Sequence, residues 1–111
     1  MPEIPEEARS LVEEFQSYQQ QLQNVMMQKE TLKLQSAEIT KALEELDASN
    51  EKKAYKIAGN VMISKPIEDI KKDLDEMKET IEVRLKSFDK MEEKVNSKLK
   101  ELQAKLKEVI K

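Results

Sequence analysis

Carboxylates and lysines are the side chains in this sequence abundant enough to do chemistry. Its 111 residues hold 23 Asp and Glu and 20 Lys and Arg, but no histidine and no cysteine. The commonest general base and the commonest metal ligands are therefore missing from the sequence. The carboxylates lie among lysines, which is the pattern of a solvated helix surface, and a single glycine cannot build a phosphate-binding loop. We expect no enzymatic activity, no bound metal and no cofactor.

Composition also bears on location and on the classes of partner. The net charge is −3, the mean hydropathy is −0.76, and no apolar run approaches the roughly 20 residues that span a bilayer. The first residues are acidic, whereas a signal peptide starts with basic ones. The basic C-terminal end has an acidic counterpart, and no aromatic platform for stacking bases is present. We expect a cytoplasmic protein with no membrane partner and no nucleic-acid partner.

The first half of the chain has a long apolar repeat in alternating steps of four and three. The repeat, here called the first seam, runs through Ile4, Ala8, Leu11, Phe15, Tyr18, Leu22, Val25, Lys29, Leu32, Ser36, Ile39, Leu43 and Leu46. Alternation sustained this far is typical of a coiled coil and not of the wider stripe on a globular surface helix. Pro5 and the acids after it suit a helix start, so we predict a helix over about 6–48.

A second seam follows Pro66 and predicts a helix over about 66–110. It runs through Ile67, Ile70, Leu74, Met77, Ile81, Arg84, Phe88, Met91, Val95, Leu99, Leu102, Leu106 and Val109. Two consecutive steps of four, from Met91 to Leu99, predict a stutter that locally unwinds the supercoil. The polar seam residues Lys29, Ser36 and Arg84 either fix the register or, as we favour for the two cations, extend to solvent.

Between the seams, residues 54–64 predict a β-hairpin. Tyr55 and Ile57 precede Gly59-Asn60, and Val61 and Ile63 follow it, each pair with a spacing of two. A hairpin at this point predicts that the helices pair antiparallel in one domain over 1–111. Charge favours the same pairing, because residues 1–14 hold one Arg and five Glu, net −4, and residues 94–111 hold six Lys and two Glu, net +4.

The hairpin predicts an oligomer. An alternative is a simple reverse turn, but two antiparallel helices need a loop of only about 2–5 residues. An isolated two-stranded hairpin is marginal in water, so other subunits would have to supply more strands. We expect a group of residues, the hairpin set, to form the subunit interface: Tyr55, Ile57, Gly59, Val61 and Ile63.

Apolar residues near both chain ends would meet at the far end of the paired helices. They widen the seam there, and such a surface suits contact with another apolar chain. This group, the tip set, comprises Ile4, Ala8, Leu11, Val12, Leu102, Leu106, Val109 and Ile110. The alternative is that they are only the last, fraying turns of the seam. For Met26, Met27 and Leu34, which lie off the seam, we favour scattered surface positions over a binding surface.

Three short motifs stand out: Tyr-Gln-Gln-Gln-Leu at 18–22, Leu-Glu-Glu-Leu-Asp at 43–47 and Tyr-Lys-Ile-Ala-Gly-Asn-Val-Met-Ile at 55–63. They resemble the prefoldin family, specifically its β-type subunits. The absence of His, Cys and Trp, together with the high Lys and Glu content, resembles the composition of an archaeal protein. The two helical motifs are unspecific, and the hairpin motif carries most of the resemblance. The α-type subunits have two hairpins, whereas this sequence has room for one.

The resemblance implies a mainly α fold, in which the two helices form an antiparallel coiled coil and the hairpin builds an inter-subunit β-barrel. It implies a hexamer with an α-type prefoldin subunit, two α and four β. It also implies an ATP-independent chaperone whose coiled-coil tips bind non-native client proteins and deliver them to a group II chaperonin. The alternative is a structural or tethering coiled coil that binds no client, which leaves the long β-forming insertion without a role.

Overall fold

The computed structural model describes residues 5–110, apart from the side chain of Ile110. Its elements are α1 (Glu6–Ala48), β1 (Lys53–Ala58), β2 (Val61–Pro66) and α2 (Ile67–Ile110). The predicted fold, two long helices joined by a central antiparallel β-hairpin, is confirmed. The inter-subunit barrel stays a prediction.

The helices contribute to two compact units. The terminal unit comprises Met1–Glu30 and Lys86–Lys111, of which 5–30 and 86–110 are described, and the central unit comprises Thr31–Leu85. Within each unit, later residues of α1 lie against earlier residues of α2. In the central unit, Asp47 contacts Lys71, whereas Gln35 shares a cleft with Ile81. The helix segments are therefore antiparallel.

The first seam has the predicted residues on its buried side. α1 follows Pro5, whose carbonyl accepts a hydrogen bond from the Arg9 N–H at 3.1 Å. Proline is suited to this end of a helix, because the backbone N–H that it lacks would have no helical acceptor there. Every predicted seam residue from Ala8 to Leu46 is buried or half-buried, so the prediction is confirmed for α1. Ile4 lies outside the described residues.

The second seam departs from the prediction at three positions and in its stutter. Met77, Arg84 and Met91 are exposed, and the half-buried residues are instead their C-terminal neighbours. These neighbours are Lys78, Leu85 and Glu92. The predicted stutter from Met91 to Leu99 is therefore wrong, since steps of three and four continue through this stretch from Glu92. Steps of four fall instead in the central unit, at Ile70, Leu74 and Lys78. At Met77 and Met91 the prediction failed because it favoured methionine over the next residue, which is charged, and at Arg84 it passed over the neighbouring leucine. One of the charged residues, Glu92, has a partner across the seam.

That partner is Lys29, which forms a polar layer in the terminal unit. Its ammonium lies 2.6 Å from Oδ1 of Asp89 and 2.6 Å from Oε2 of Glu92. Only 16% of the Lys29 side chain is exposed, so the preferred expectation that it extends to solvent is wrong. Hydrogen bonds to Asp89 and then Glu92 hold the pKa of Lys29 above its usual value. A charged cluster inside an apolar seam penalises other alignments of the helices, so we expect Lys29 to favour the observed register.

The raised pKa predicts a loss of stability in alkali. The ion pairs of Lys29 stabilise the fold fully below the unfolded-state pKa, near 10.5, and are lost as pH rises through the higher folded-state pKa. We therefore expect wild type to be more stable than Lys29→Gln near neutral pH and this difference to shrink in strong alkali. Chemical unfolding of both proteins across that pH range measures it. A difference independent of pH would contradict the assigned ion pairs, and Lys33→Gln, an exposed lysine on the same helix, is the control.

Polar contacts connect the hairpin to the helices in the central unit. The Ile67 N–H donates a hydrogen bond to the Lys52 carbonyl at 2.9 Å, which closes the base of the hairpin as α2 begins. Lys71 lies 2.8 Å from Asp47 near the end of α1, and this carboxylate raises the pKa of Lys71. Lys65 of β2 lies 3.5 Å from Asp73 of α2. The first and the last of these contacts position the hairpin relative to α2, and the Lys71–Asp47 ion pair joins the two helices beside it.

Candidate interaction surfaces

The hairpin turn consists of Gly59 and Asn60. Gly59 has φ of 60°, and among the described residues it alone has a positive φ. A positive φ at the first central residue of a two-residue turn is the type II′ pattern, which favours glycine and matches the right-handed twist of the strands. The turn therefore fixes the pairing of Ala58 with Val61 and the register of every pair behind it.

The register divides the hairpin set between the two faces of the sheet. Paired residues share a face, and Tyr55 pairs with Ser64 while Ile57 pairs with Met62. One face, the aromatic face, therefore presents Tyr55, Ile57 and Met62. The opposite face presents Val61 and Ile63, paired with Ala58 and Lys56. An interface that uses the whole hairpin set must contact the sheet on both sides.

Sequence reasoning missed Met62. It is exposed together with four members of the hairpin set, Tyr55, Ile57, Val61 and Ile63. The signal that identifies it is the length of the turn: with two residues in the turn, Met62 must stand opposite Ile57. It is unusual for a two-stranded sheet of a single chain to expose five large apolar side chains. In addition, neither outer strand edge has another strand beside it among residues 5–110.

One cleft lies between the hairpin and the helices of the central unit. It has a volume of about 410 Å³ and is lined mainly by apolar side chains of α1 and α2, including Leu46, Ile70 and Leu74. Ala54, Tyr55 and Lys56 line its strand side. The hairpin therefore does not pack flat on the helices, which leaves its residues accessible to another chain.

The tip set lies in the terminal unit and is only partly accessible. Ala8 and Leu102 are buried, Leu11, Leu106 and Val109 are half-buried, and Val12 is exposed. Ala8 and Leu102 would reach another chain only if the seam opened. Ile4 and the side chain of Ile110 lie outside the described residues. Binding by this set and by the hairpin set stays a prediction.

Charges near the tip set pair within one helix. Lys98 and Lys105 lie 3.5 and 3.4 Å from Glu101, all three in α2. The Lys105 and Lys98 ammonium groups lower the pKa of Glu101. No ion pair between α1 and α2 occurs in this stretch of the described chain. Among residues 5–14 and 94–110, the opposite charges of the two helices therefore attract each other only at longer range, where salt screens them.

No cluster of three or more potential metal ligands occurs among residues 5–110. No helix in that range is long and apolar enough to cross a membrane.

Comparison with known proteins identifies the family. Residues 9–111 match the family described as prefoldin subunit. The chain is 37% identical over 111 residues to prefoldin subunit beta of Archaeoglobus fulgidus, which covers 99% of this chain and 96% of that protein. It is 36% identical over 112 residues to the Pyrococcus abyssi subunit beta, which covers 100% of this chain and 96% of that protein.

A solved structure has the same fold. The crystal structure of the prefoldin beta subunit from Thermococcus strain KS-1 matches with a TM-score of 0.87 at 36% identity, over 97% of this chain and 96% of that one. The similarity thus extends over the helices and the hairpin alike. The chain belongs to the prefoldin family, and it shares its fold with the beta subunits of that family.

Proposed function

We propose that this chain is a subunit of an ATP-independent holding chaperone. It assembles through its hairpin with an α-type prefoldin subunit, in a hexamer of two α and four β chains. The tips of the coiled coils bind non-native proteins and hand them to a group II chaperonin. Each contact is weak, and several coiled coils on one platform raise the effective concentration for the next contact.

The observation that carries the proposal is the hairpin of a prefoldin-family chain with apolar side chains exposed on both of its faces. A coiled coil that serves only as a tether gains nothing from exposed apolar side chains, whereas a subunit of an assembly can bury them against other subunits. Exposed Val12 and half-buried Val109, both in the terminal unit, support the client-binding half of the proposal.

Light scattering tests the chaperone activity. A chemically denatured client is diluted into nucleotide-free buffer that contains this chain premixed with an α-type partner. Suppressed aggregation at near-stoichiometric complex is the expected result. Unsuppressed scattering for several unrelated clients, with assembly confirmed by size, would favour the tether instead.

Variants of the tip set test where clients bind. We expect Val12→Ser with Val109→Ser to weaken client holding by at least about tenfold, because two apolar contacts of about 1 kcal/mol or more each are lost at every tip. Assembly should stay intact, since neither residue lies in the hairpin. The matched control is Val83→Ser, which removes a valine that is 68% exposed in the central unit. Equal loss of client holding in the control and the tip variant would contradict client binding at the tips.

A further inference from the structure

A groove in the terminal unit lies away from the ends of the helices. It has a volume of about 340 Å³ and lies between α1 and α2. Its lining consists of Tyr18, Gln21, Met91, Lys94, Val95 and Lys98. Only Tyr18 and Val95 belong to the predicted seams and are also on the buried side, so the groove lies along one flank of the seam.

The groove combines an apolar floor with a basic rim. Tyr18, Met91 and Val95 supply apolar surface, and the two lysines stand one helical turn apart on α2. Lys94 makes no ion pair within residues 5–110, and Lys98 is about half exposed, with Glu101 at 3.5 Å. No carboxylate is part of the lining. The charged side chains of the lining are therefore both positive, and a bound group with a negative charge would meet the Lys94 ammonium and share the Lys98 ammonium with Glu101.

The clefts of the central unit differ from this groove in the charge of their lining. The cleft of about 410 Å³ is lined by Glu45 and Asp73 together with Lys56, and a second cleft of about 520 Å³ by Asp73 and Glu76 with Lys56. Each has two carboxylates for one lysine. Of these three, only the groove of the terminal unit has more lysines than carboxylates in its lining, so a segment of negative charge is favoured there over either cleft of the central unit.

We propose that the groove of the terminal unit binds acidic apolar segments of non-native chains. A large apolar side chain of the segment contacts Tyr18 and Met91, and neighbouring Asp or Glu side chains pair with Lys94 and Lys98. A volume at the lower end of ligand-site sizes admits one or two side chains and not a folded domain. The inference rests on the proposed holding function and specifies which client segments are held.

Methionine methyl NMR on the full chain tests this assignment. Of the six methionines in the sequence, Met91 lines the groove, whereas Met77 lines the clefts of the central unit and Met62 lies on the hairpin. The probe is a short unfolded peptide in which leucine and tryptophan are flanked by glutamates. The expected result is a saturable shift of the Met91 methyl, with Met77 and Met62 unchanged. The same peptide with lysines in place of glutamates should shift none of them.

Replacement of the rim lysines measures their contribution. We expect Lys94→Gln with Lys98→Gln to weaken binding of the acidic peptide about tenfold, as two exposed ion pairs are lost. Raising the ionic strength from about 0.01 to about 0.15 M, which shortens the Debye length from about 30 to about 8 Å, should weaken wild type and leave the variant nearly unchanged. The matched control is Lys90→Gln with Lys100→Gln, which removes two exposed lysines of the same helix outside the groove.

Several outcomes would overturn the inference. They are equal shifts with the lysine peptide, shifts at Met77 or Met62 in place of Met91, and a Met91 response to a single-stranded oligonucleotide but not to the acidic peptide. The test also separates this inference from the proposed function. Suppressed aggregation without a Met91 response would reject binding in the groove and retain the holding function. A Met91 response without suppressed aggregation would retain binding in the groove and reject the holding function.

Discussion

Replacing Ile57 by lysine is expected to prevent assembly with an α-type partner while the helices stay folded. Ile57 is 72% exposed in the single chain, so a lysine there is solvated and costs the isolated fold little. In a subunit interface the same change removes about 1.5–3 kcal/mol of apolar burial and leaves a buried charge without a partner. We expect the association constant to fall by at least about a hundredfold for each hairpin contact.

Light scattering during size-exclusion chromatography measures the assembly, and circular dichroism measures the helix content. The matched control is Asn60→Lys, which adds the same charge at the exposed turn of the same hairpin. It should assemble as wild type does. If Ile57→Lys also gave a complex of wild-type mass and stability, the aromatic face would not belong to the interface.

Shortening Leu32 to alanine is expected to lower the free energy of unfolding by about 2–4 kcal/mol. Leu32 belongs to the first seam and is 4% exposed, so the shorter side chain leaves a cavity as well as losing apolar burial. Leu34, two residues further along α1, is 62% exposed. Leu34→Ala should therefore change the free energy by no more than about 0.5 kcal/mol.

The two variants form a matched pair, because leucine and alanine have similar helix propensities and the positions share one helix. Urea unfolding followed by circular dichroism, with all proteins in the same assembly state, measures both changes. Equal destabilisation by the two substitutions would contradict the assigned seam.

Apolar periodicity was enough to predict α1, because its seam contains few polar residues and each step leads to one clear candidate. In α2 the rule of choosing the apolar residue failed at Met91, since the buried position belongs to Glu92. Glu92 takes this position because its carboxylate pairs with Lys29, which is distant in sequence but whose ammonium lies 2.6 Å from Oε2 of Glu92 in the fold. The apolar pattern of one helix cannot predict a contact with the other helix.

The interaction surfaces show the same division between local and distant information. Gly59-Asn60 predicted the hairpin and its turn, and counting residues from this turn would also have identified Met62. The seam positions of Ala8 and Leu102 already implied that they are buried, which limits their access to another chain, whereas Val12 lies off the seam and is exposed. The groove of the terminal unit needs residues from both helices, and no motif marks it.

The exposed hairpin has a consequence for the supply of the protein in the cell. A newly synthesised chain that has not met its partner displays five large apolar side chains and two open strand edges. Such a surface associates non-specifically with itself and with other nascent proteins. In the proposed assembly, we therefore expect synthesis of this subunit in excess of its partners to favour aggregation, which matched translation of the subunits or rapid proteolysis of the surplus would limit.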